Sequence, residues 1–177
     1  MKTAGQLVYG TCVALVHRTA KRRRPEDGDI DAGQRAIAAI LRGPSGSGKS
    51  DLALRFVLET PADLNAALVS DDQVCVARTG ERLLASPPAA IAGKIEVRGV
   101  GIVSIPHVAQ AELRLAVNLC HPDDVPRLPL IGEETEDIQG IAVAVLHLAP
   151  FEASAPLKLA LALSTFSKSG LPGFLKK

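Results

Sequence analysis

The chain has 177 residues, 47% of them hydrophobic and 22% charged, with a formal net charge of +1 at pH 7. That length is one domain's worth, and the near-neutral balance excludes a general electrostatic pull toward nucleic acid or a membrane surface. There is no Trp, one Tyr and four Phe, so aliphatic side chains must fill the core and few rings are available to stack nucleobases. No uninterrupted apolar run is long enough to span a bilayer, and Met1-Lys2-Thr3 does not open a secretory signal. Cys12, Cys75 and Cys120 lack metal-ligand spacing and are an odd number, which reads as reduced thiols in a soluble, cytoplasmic protein.

In chain order, residues 6–16 are predicted as one strand. The polar stretch from His17 to Gly33 contains Lys21-Arg22-Arg23-Arg24 followed by acids. The local cancellation of charge favours a solvated loop over a surface for RNA or an acidic partner. Residues 35–42 form an apolar strand that feeds Gly43-Pro44, and residues 49–59 a helix with positions 53, 56, 57 and 60 toward a sheet, stopped by Pro61. Residues 66–70 are a buried strand ending at Asp71-Asp72. From Gln73 to Ser104 the pattern is mostly β, with strands over 74–77, 81–85 and 95–98. Residues 111–119 alternate cleanly with Leu113, Leu115, Val117 and Leu119 on one face, Pro122 to Gly132 is a proline-rich loop, Ile141 to Leu148 is a last strand, and Ala155 to Phe166 a helix. The acids Glu133, Glu134, Glu136 and Asp137 read as a solvated loop, and His17, His107, His121 and His147 share no ligand spacing.

The segment Gly43-Pro44-Ser45-Gly46-Ser47-Gly48-Lys49-Ser50 fits the phosphate-loop pattern G-x-x-x-x-G-K-[ST] between a predicted strand and a predicted helix. The glycines let backbone N–H groups converge on phosphate oxygens. Lys49 supplies a cation for the β- and γ-phosphates, Ser50 a hydroxyl for Mg²⁺, and the following helix its positive end. ATP with Mg²⁺ is the ligand this arrangement suits. Phosphoryl transfer also needs a carboxylate to hold metal or take a proton from the nucleophile. Asp71 and Asp72 follow the next apolar strand, and in a parallel sheet the strand ends line up beside the phosphate loop. In Ile95-Glu96-Val97-Arg98, Glu96 and Arg98 would share a strand face, to serve metal and phosphate or to form an ion pair facing solvent.

Together these elements resemble the catalytic domain of bacterial HPr kinase/phosphorylase. The resemblance is carried by G-P-S-G-S-G-K-S at 43–50, L-V-S-D-D-Q-V at 68–74 and I-E-V-R-G-V-G-I at 95–102. It covers most of the chain from Leu7 onward, and the chain looks like the short, alphaproteobacterial-type form that lacks the family's separate N-terminal domain. It implies an α/β fold, a P-loop-containing, phosphoenolpyruvate carboxykinase-like core with a mixed central sheet and flanking helices, as one catalytic domain over residues 1–177.

The implied activity is an ATP-dependent serine kinase that phosphorylates HPr or its nitrogen-system relative by in-line transfer. A homo-oligomer is implied too, a hexamer in the family. Carried over residue by residue, Lys49 is the phosphate-binding lysine, and Ser50 with Glu96 are the Mg²⁺ ligands. Asp72, with Asp71 beside it, is the base toward the acceptor serine. Arg127, in Val125-Pro126-Arg127-Leu128, matches the catalytic arginine near the acceptor.

Two departures stand out. Tyr9, in Tyr9-Gly10-Thr11-Cys12-Val13, occupies the place of a family His, and a phenol keeps its proton at neutral pH where an imidazole exchanges one. Residues 150–158 lack the arginine-bearing motif tied to phosphorylase activity, so a kinase with weak or absent reverse activity is expected. A small-molecule kinase and a non-catalytic ATP sensor with a protein partner remain the alternatives.

Overall fold

The computed structural model describes residues 5–17, 35–129 and 134–169. The basic run Lys21 to Arg24 and Glu133 lie outside these residues. In chain order the elements are β1 (Gln6–Tyr9), β2 (Thr11–His17), β3 (Arg35–Arg42), α1 (Lys49–Glu59), β4 (Ala66–Ser70), β5 (Gln73–Thr79), β6 (Arg82–Ser86), β7 (Lys94–Val97), β8 (Gly101–Ser104), β9 (Ala111–Leu119), β10 (Thr135–Ile138), β11 (Ile141–Leu148) and α2 (Ala155–Ser169). This is an α/β fold on a mixed sheet.

The main path of the sheet runs β1-β5-β6-β9-β3-β2-β4. Strands β3, β9 and β11 are mutually parallel, and the remaining pairings are antiparallel. The sheet forks along one edge of β9. Its first residues pair with β6 (Ala111↔Ala85, Leu113↔Leu83) and its later ones with β11 (Leu115↔Ala144 to Leu119↔Leu148). The two ends of the main path, β1 and β4, lie close together. β1 runs into β2 through Gly10 alone, and β4 runs into β5 through Asp71-Asp72. The sheet is therefore curled onto itself, with these two short connections at the seam.

That seam corrects the reading of residues 6–16 as one strand. At Gly10 the chain leaves one limb of the sheet for the other, passing so close to β3 that a Cβ there would sit 2.7 Å from the Leu41 carbonyl oxygen. Only glycine makes this approach without a shift. The Gly10 N–H donates to the Asp72 carbonyl at 2.9 Å, which ties the two connections together.

Strand alternation separates two cores. On β2, β3 and β9, Val13, Leu15, Ile37, Ala39, Leu41, Leu115 and Val117 pack against the helices, with Leu52, Ala53, Phe56 and Val57 of α1 and Leu159 and Leu163 of α2. The intervening Cys12, Ala14, Val16, Ala36, Ala38, Ile40, Leu113 and Ala116 face inside the curl, against Val74, Val76, Leu83 and Val143. On β2 and β3 the period of two lets one strand serve both cores, whereas on β9 the single face expected for Leu113, Leu115, Val117 and Leu119 breaks at the register shift opposite Ala38/Ala39, which turns Leu113 inside the curl. Phe56 is fully buried, and burial of such a ring contributes roughly 1.5–3 kcal/mol. Burial also raises the Cys12 thiol far above its ordinary range, and burial followed by the Asp124 charge raises Cys120. All three cysteines are unpaired.

A strand replaces part of the expected acidic loop. Residues 135–138 form β10, which turns through Gln139 (φ 53°) and Gly140 (φ 76°) into β11. Glu136 pairs with Arg42, and Glu134 with His147 at 3.0 Å, so these acids are tied to neighbouring strands. The turn itself is held by Arg78 of β5, whose guanidinium donates to the Gln139 carbonyl at 3.0 Å. No helix among the described residues is long and apolar enough to cross a membrane.

Candidate active site

β3 and β4 are each antiparallel to the intervening β2, so both end on the side where β2 begins. The glycine-rich loop 43–48 leaves the end of β3 there and Asp71-Asp72 the end of β4. Residues 43–48 turn through the Ser47 N–H to Pro44 carbonyl bond of 3.1 Å, then enter α1 with Leu52 N–H on the Gly48 carbonyl at 2.8 Å. Gly46 (φ 81°) and Gly48 (φ 88°) hold left-handed conformations open to glycine, and a Cβ at Gly46 would meet nothing within 4 Å. Gly48 caps α1 without a side chain, so the first-turn N–H groups stay available to an anion. The Lys49 ammonium donates to the Gly43 and Pro44 carbonyls at 2.9 Å each. These bonds hold the cation at the loop.

Asp71 is the hub of the cleft. The residue is 8% exposed. One carboxylate oxygen accepts from the Thr11 hydroxyl at 2.9 Å and from the Ser50 hydroxyl at 2.8 Å. The other accepts from the Glu96 backbone N–H at 3.2 Å. Three donors from β2, α1 and β7 thus compensate a nearly buried charge. Thr11 escaped the sequence reading because a lone Thr on an apolar strand carries no signal of its own.

Asp72 differs in every respect. It is exposed, and its backbone is left-handed (φ 65°), a conformation that Asp and Asn tolerate better than most residues. The adjacent carboxylates are therefore placed for different tasks, one clamped and one open to whatever enters the cleft.

Glu96 reaches the cleft on the hairpin of β7 and β8. Ile95 is buried against α1, so Glu96 points the other way and is exposed. Strand β7 stops at Val97, and Arg98 opens the turn instead of sharing a strand face with Glu96. Both line a cleft of about 740 Å³ with Tyr9, Lys49, Ser50, Asp71 and Asp72. Tyr9 ends β1 with 71% of its surface exposed. Arg127 does not line this cleft; it is exposed in the irregular segment after the short 3-10 turn Pro122–Asp124.

The donor set suits a hard cation. The described residues hold no cluster of three His, Cys, Asp or Glu side chains, but Mg²⁺ asks for one or two carboxylates and completes its shell with water and phosphate oxygens. Ser50, Asp71 and Glu96 supply oxygen donors in the cleft beside the glycine-rich loop.

Residues 35–154 match the family model described as the HPr Serine kinase C-terminal domain. The chain belongs to this family. The HPr kinase/phosphorylase of Clostridium beijerinckii is 28% identical over 150 residues, 81% of this chain and 47% of that protein. Its counterpart from Mycoplasma genitalium is 33% identical over 90 residues, 47% of this chain and 27% of that one. That of Neisseria meningitidis serogroup C is 33% identical over 127 residues, or 63% and 37%. The chain thus spans less than half the length of these relatives. In fold it is similar to the Hpr(Ser) kinase/phosphatase from Coxiella burnetii, with a TM-score of 0.64 over 90% of this chain and 93% of that one at 23% identity. The match begins at β3, so it takes in the phosphate loop, both aspartates, Glu96 and Arg127, and leaves out Tyr9 and Thr11.

Proposed function

We propose that this HPr serine kinase family domain transfers the γ-phosphate of ATP to a serine of an HPr-like phosphocarrier, HPr itself or its nitrogen-system relative. The observation that carries the reading is the clamped Asp71 beside the open Asp72 at the lip of the phosphate cradle. The loop N–H groups and Lys49 bind the phosphate chain and fix its direction. Ser50, Asp71 and Glu96 would hold Mg²⁺, which when bound neutralises charge on the transferring oxygens. Asp72 accepts the proton of the acceptor hydroxyl as its oxygen bonds to the γ-phosphorus and the bond to the ADP oxygen breaks. Arg98 supplies a second cation at the cleft, and Arg127 is proposed to meet the acceptor protein from outside it. Assembly into a homo-oligomer belongs to the same reading.

The test is incubation with purified HPr-like protein, Mg²⁺ and γ-labelled ATP. Label on a serine of the carrier is expected. Label on a small molecule would overturn the protein substrate, and nucleotide binding without transfer to anything would leave a sensor.

The reverse reaction is expected to be slow. Phosphorolysis asks inorganic phosphate to attack phosphoserine, which needs an extra anion held and a proton exchanged at the cleft. Tyr9 lines the cleft at the place where the resemblance expects a His. Pyrophosphate release from phosphoserine-carrier and excess phosphate should be far slower than the forward rate, and Tyr9→His should raise it. Comparable forward and reverse rates in the unaltered protein would remove Tyr9 from this role.

Glu96→Gln tests the cation site. A neutral amide is a poorer ligand for a hard cation, so the Mg²⁺ concentration for half-maximal rate should rise by about tenfold or more. An unchanged titration would assign Glu96 to the surface.

A further inference from the structure

Beside the phosphate cleft lies a second depression of about 540 Å³, built by the segments that leave the ends of three parallel strands. Pro44 and Ser47 come from the loop after β3, Cys120 and Pro122 from the segment after β9, and Ala149 to Glu152 from the segment after β11. The segments are held together. Cys120 N–H donates to the Leu148 carbonyl at 3.1 Å. Arg55 of α1 donates to the carbonyls of Pro150 and Glu152. Gly48 lies so near Phe151 that a Cβ there would meet the ring at 2.9 Å.

Phe151 lines both the phosphate cleft and the depression, on a segment fixed to α1, yet the residue is 71% exposed. An aromatic side chain fixed at its backbone and left open to solvent at the junction of a polar cradle and an apolar hollow is placed to stack a flat group. Among the other aromatics whose side chains are described, Phe56 is buried in the core, and Tyr9 lines the phosphate cleft but not the depression.

We infer that this depression is the subsite for the base and ribose of the nucleotide, with Phe151 as its stacking platform. The inference rests on the proposal that the phosphate loop holds a nucleotide. It adds which side of the loop the nucleoside leaves by, toward β9 and β11 and away from Asp72, which keeps the γ-phosphate end open to the acceptor. Stacking on a ring needs no hydrogen-bond partner from the base, in keeping with a hollow lined mainly by Pro, Ala, Leu and Phe side chains.

The experiment is calorimetric titration of the full chain and of Phe151→Ala with Mg-ADP and, separately, with Mg-tripolyphosphate. Phe151 is exposed, so its truncation leaves the core intact. Loss of ADP affinity by about tenfold or more, with tripolyphosphate affinity unchanged, is the expected result. Unchanged ADP affinity would overturn the subsite while leaving the phosphate loop in place. Loss of ADP affinity in Tyr9→Ala and not in Phe151→Ala would put the base at the other end of the cleft and overturn it as well. Failure of the unaltered chain to bind either ligand would overturn both this inference and the nucleotide reading beneath it.

Discussion

Lys49→Ala is expected to weaken ATP binding on the order of a hundredfold, because each hydrogen bond from a charged donor contributes about 1.5–3 kcal/mol. Turnover should fall further, on the order of 10³, since the cation also stabilises charge that grows during transfer. The Lys49 ammonium is already held by the Gly43 and Pro44 carbonyls, so it is positioned before ligand arrives. Lys49→Arg should rescue poorly, because a planar guanidinium cannot reproduce the compact contacts of an ammonium in a closed loop. Titration calorimetry with ATP reads the first effect directly. Wild-type affinity in Lys49→Ala would remove the loop from the nucleotide site.

The two aspartates should separate cleanly. In Asp72→Asn the backbone keeps its left-handed turn, because Asn tolerates that conformation, and the exposed amide costs the fold little. Nucleotide binding should therefore persist while turnover drops by about 10²–10⁴, the share of a general base. Asp71→Asn should behave differently. Its carboxylate serves the Thr11 hydroxyl, the Ser50 hydroxyl and the Glu96 N–H at once. An amide offers one accepting oxygen, and its NH₂ would face another donor. The expected result is lost turnover together with about 1–3 kcal/mol of lost stability, from donors left without a partner. Chemical denaturation of both variants, beside their kcat, decides the matter. Full turnover in Asp72→Asn with none in Asp71→Asn would reverse the assignments, and full turnover in both would make the pair structural.

The glycine-rich turn between β3 and α1 was legible in the sequence because its requirements are local. Glycines where the backbone turns left-handed, a lysine and a hydroxyl at the mouth of a helix all lie within eight consecutive residues. The helix over 49–59 and the strands over 35–42, 66–70, 111–119 and 141–148 were legible for a similar reason, since apolar runs and side-chain periodicity are properties of neighbouring residues. That Asp71 and Asp72 stand beside the loop followed from strand ends gathering on one side. The route is different, with the antiparallel β2 placed between β3 and β4.

Contacts across the curled sheet had no such signature. The break at Gly10 depends on the Leu41 carbonyl of another strand, and nothing within residues 6–16 announces it. The β10 hairpin was hidden because its two-residue turn uses Gln139-Gly140 where Asn-Gly is the common signal, and because Glu136 and Asp137 look like loop residues until Arg42 and the β11 ladder are in place. Arg127, which the resemblance matches to an arginine near the acceptor, is exposed outside the cleft. The different surroundings of Asp71 and Asp72 are the clearest case. As adjacent letters they are equivalent, and only the approach of Thr11, Ser50 and Glu96 from three separate elements makes one a buried clamp and leaves the other free at the mouth of the cleft.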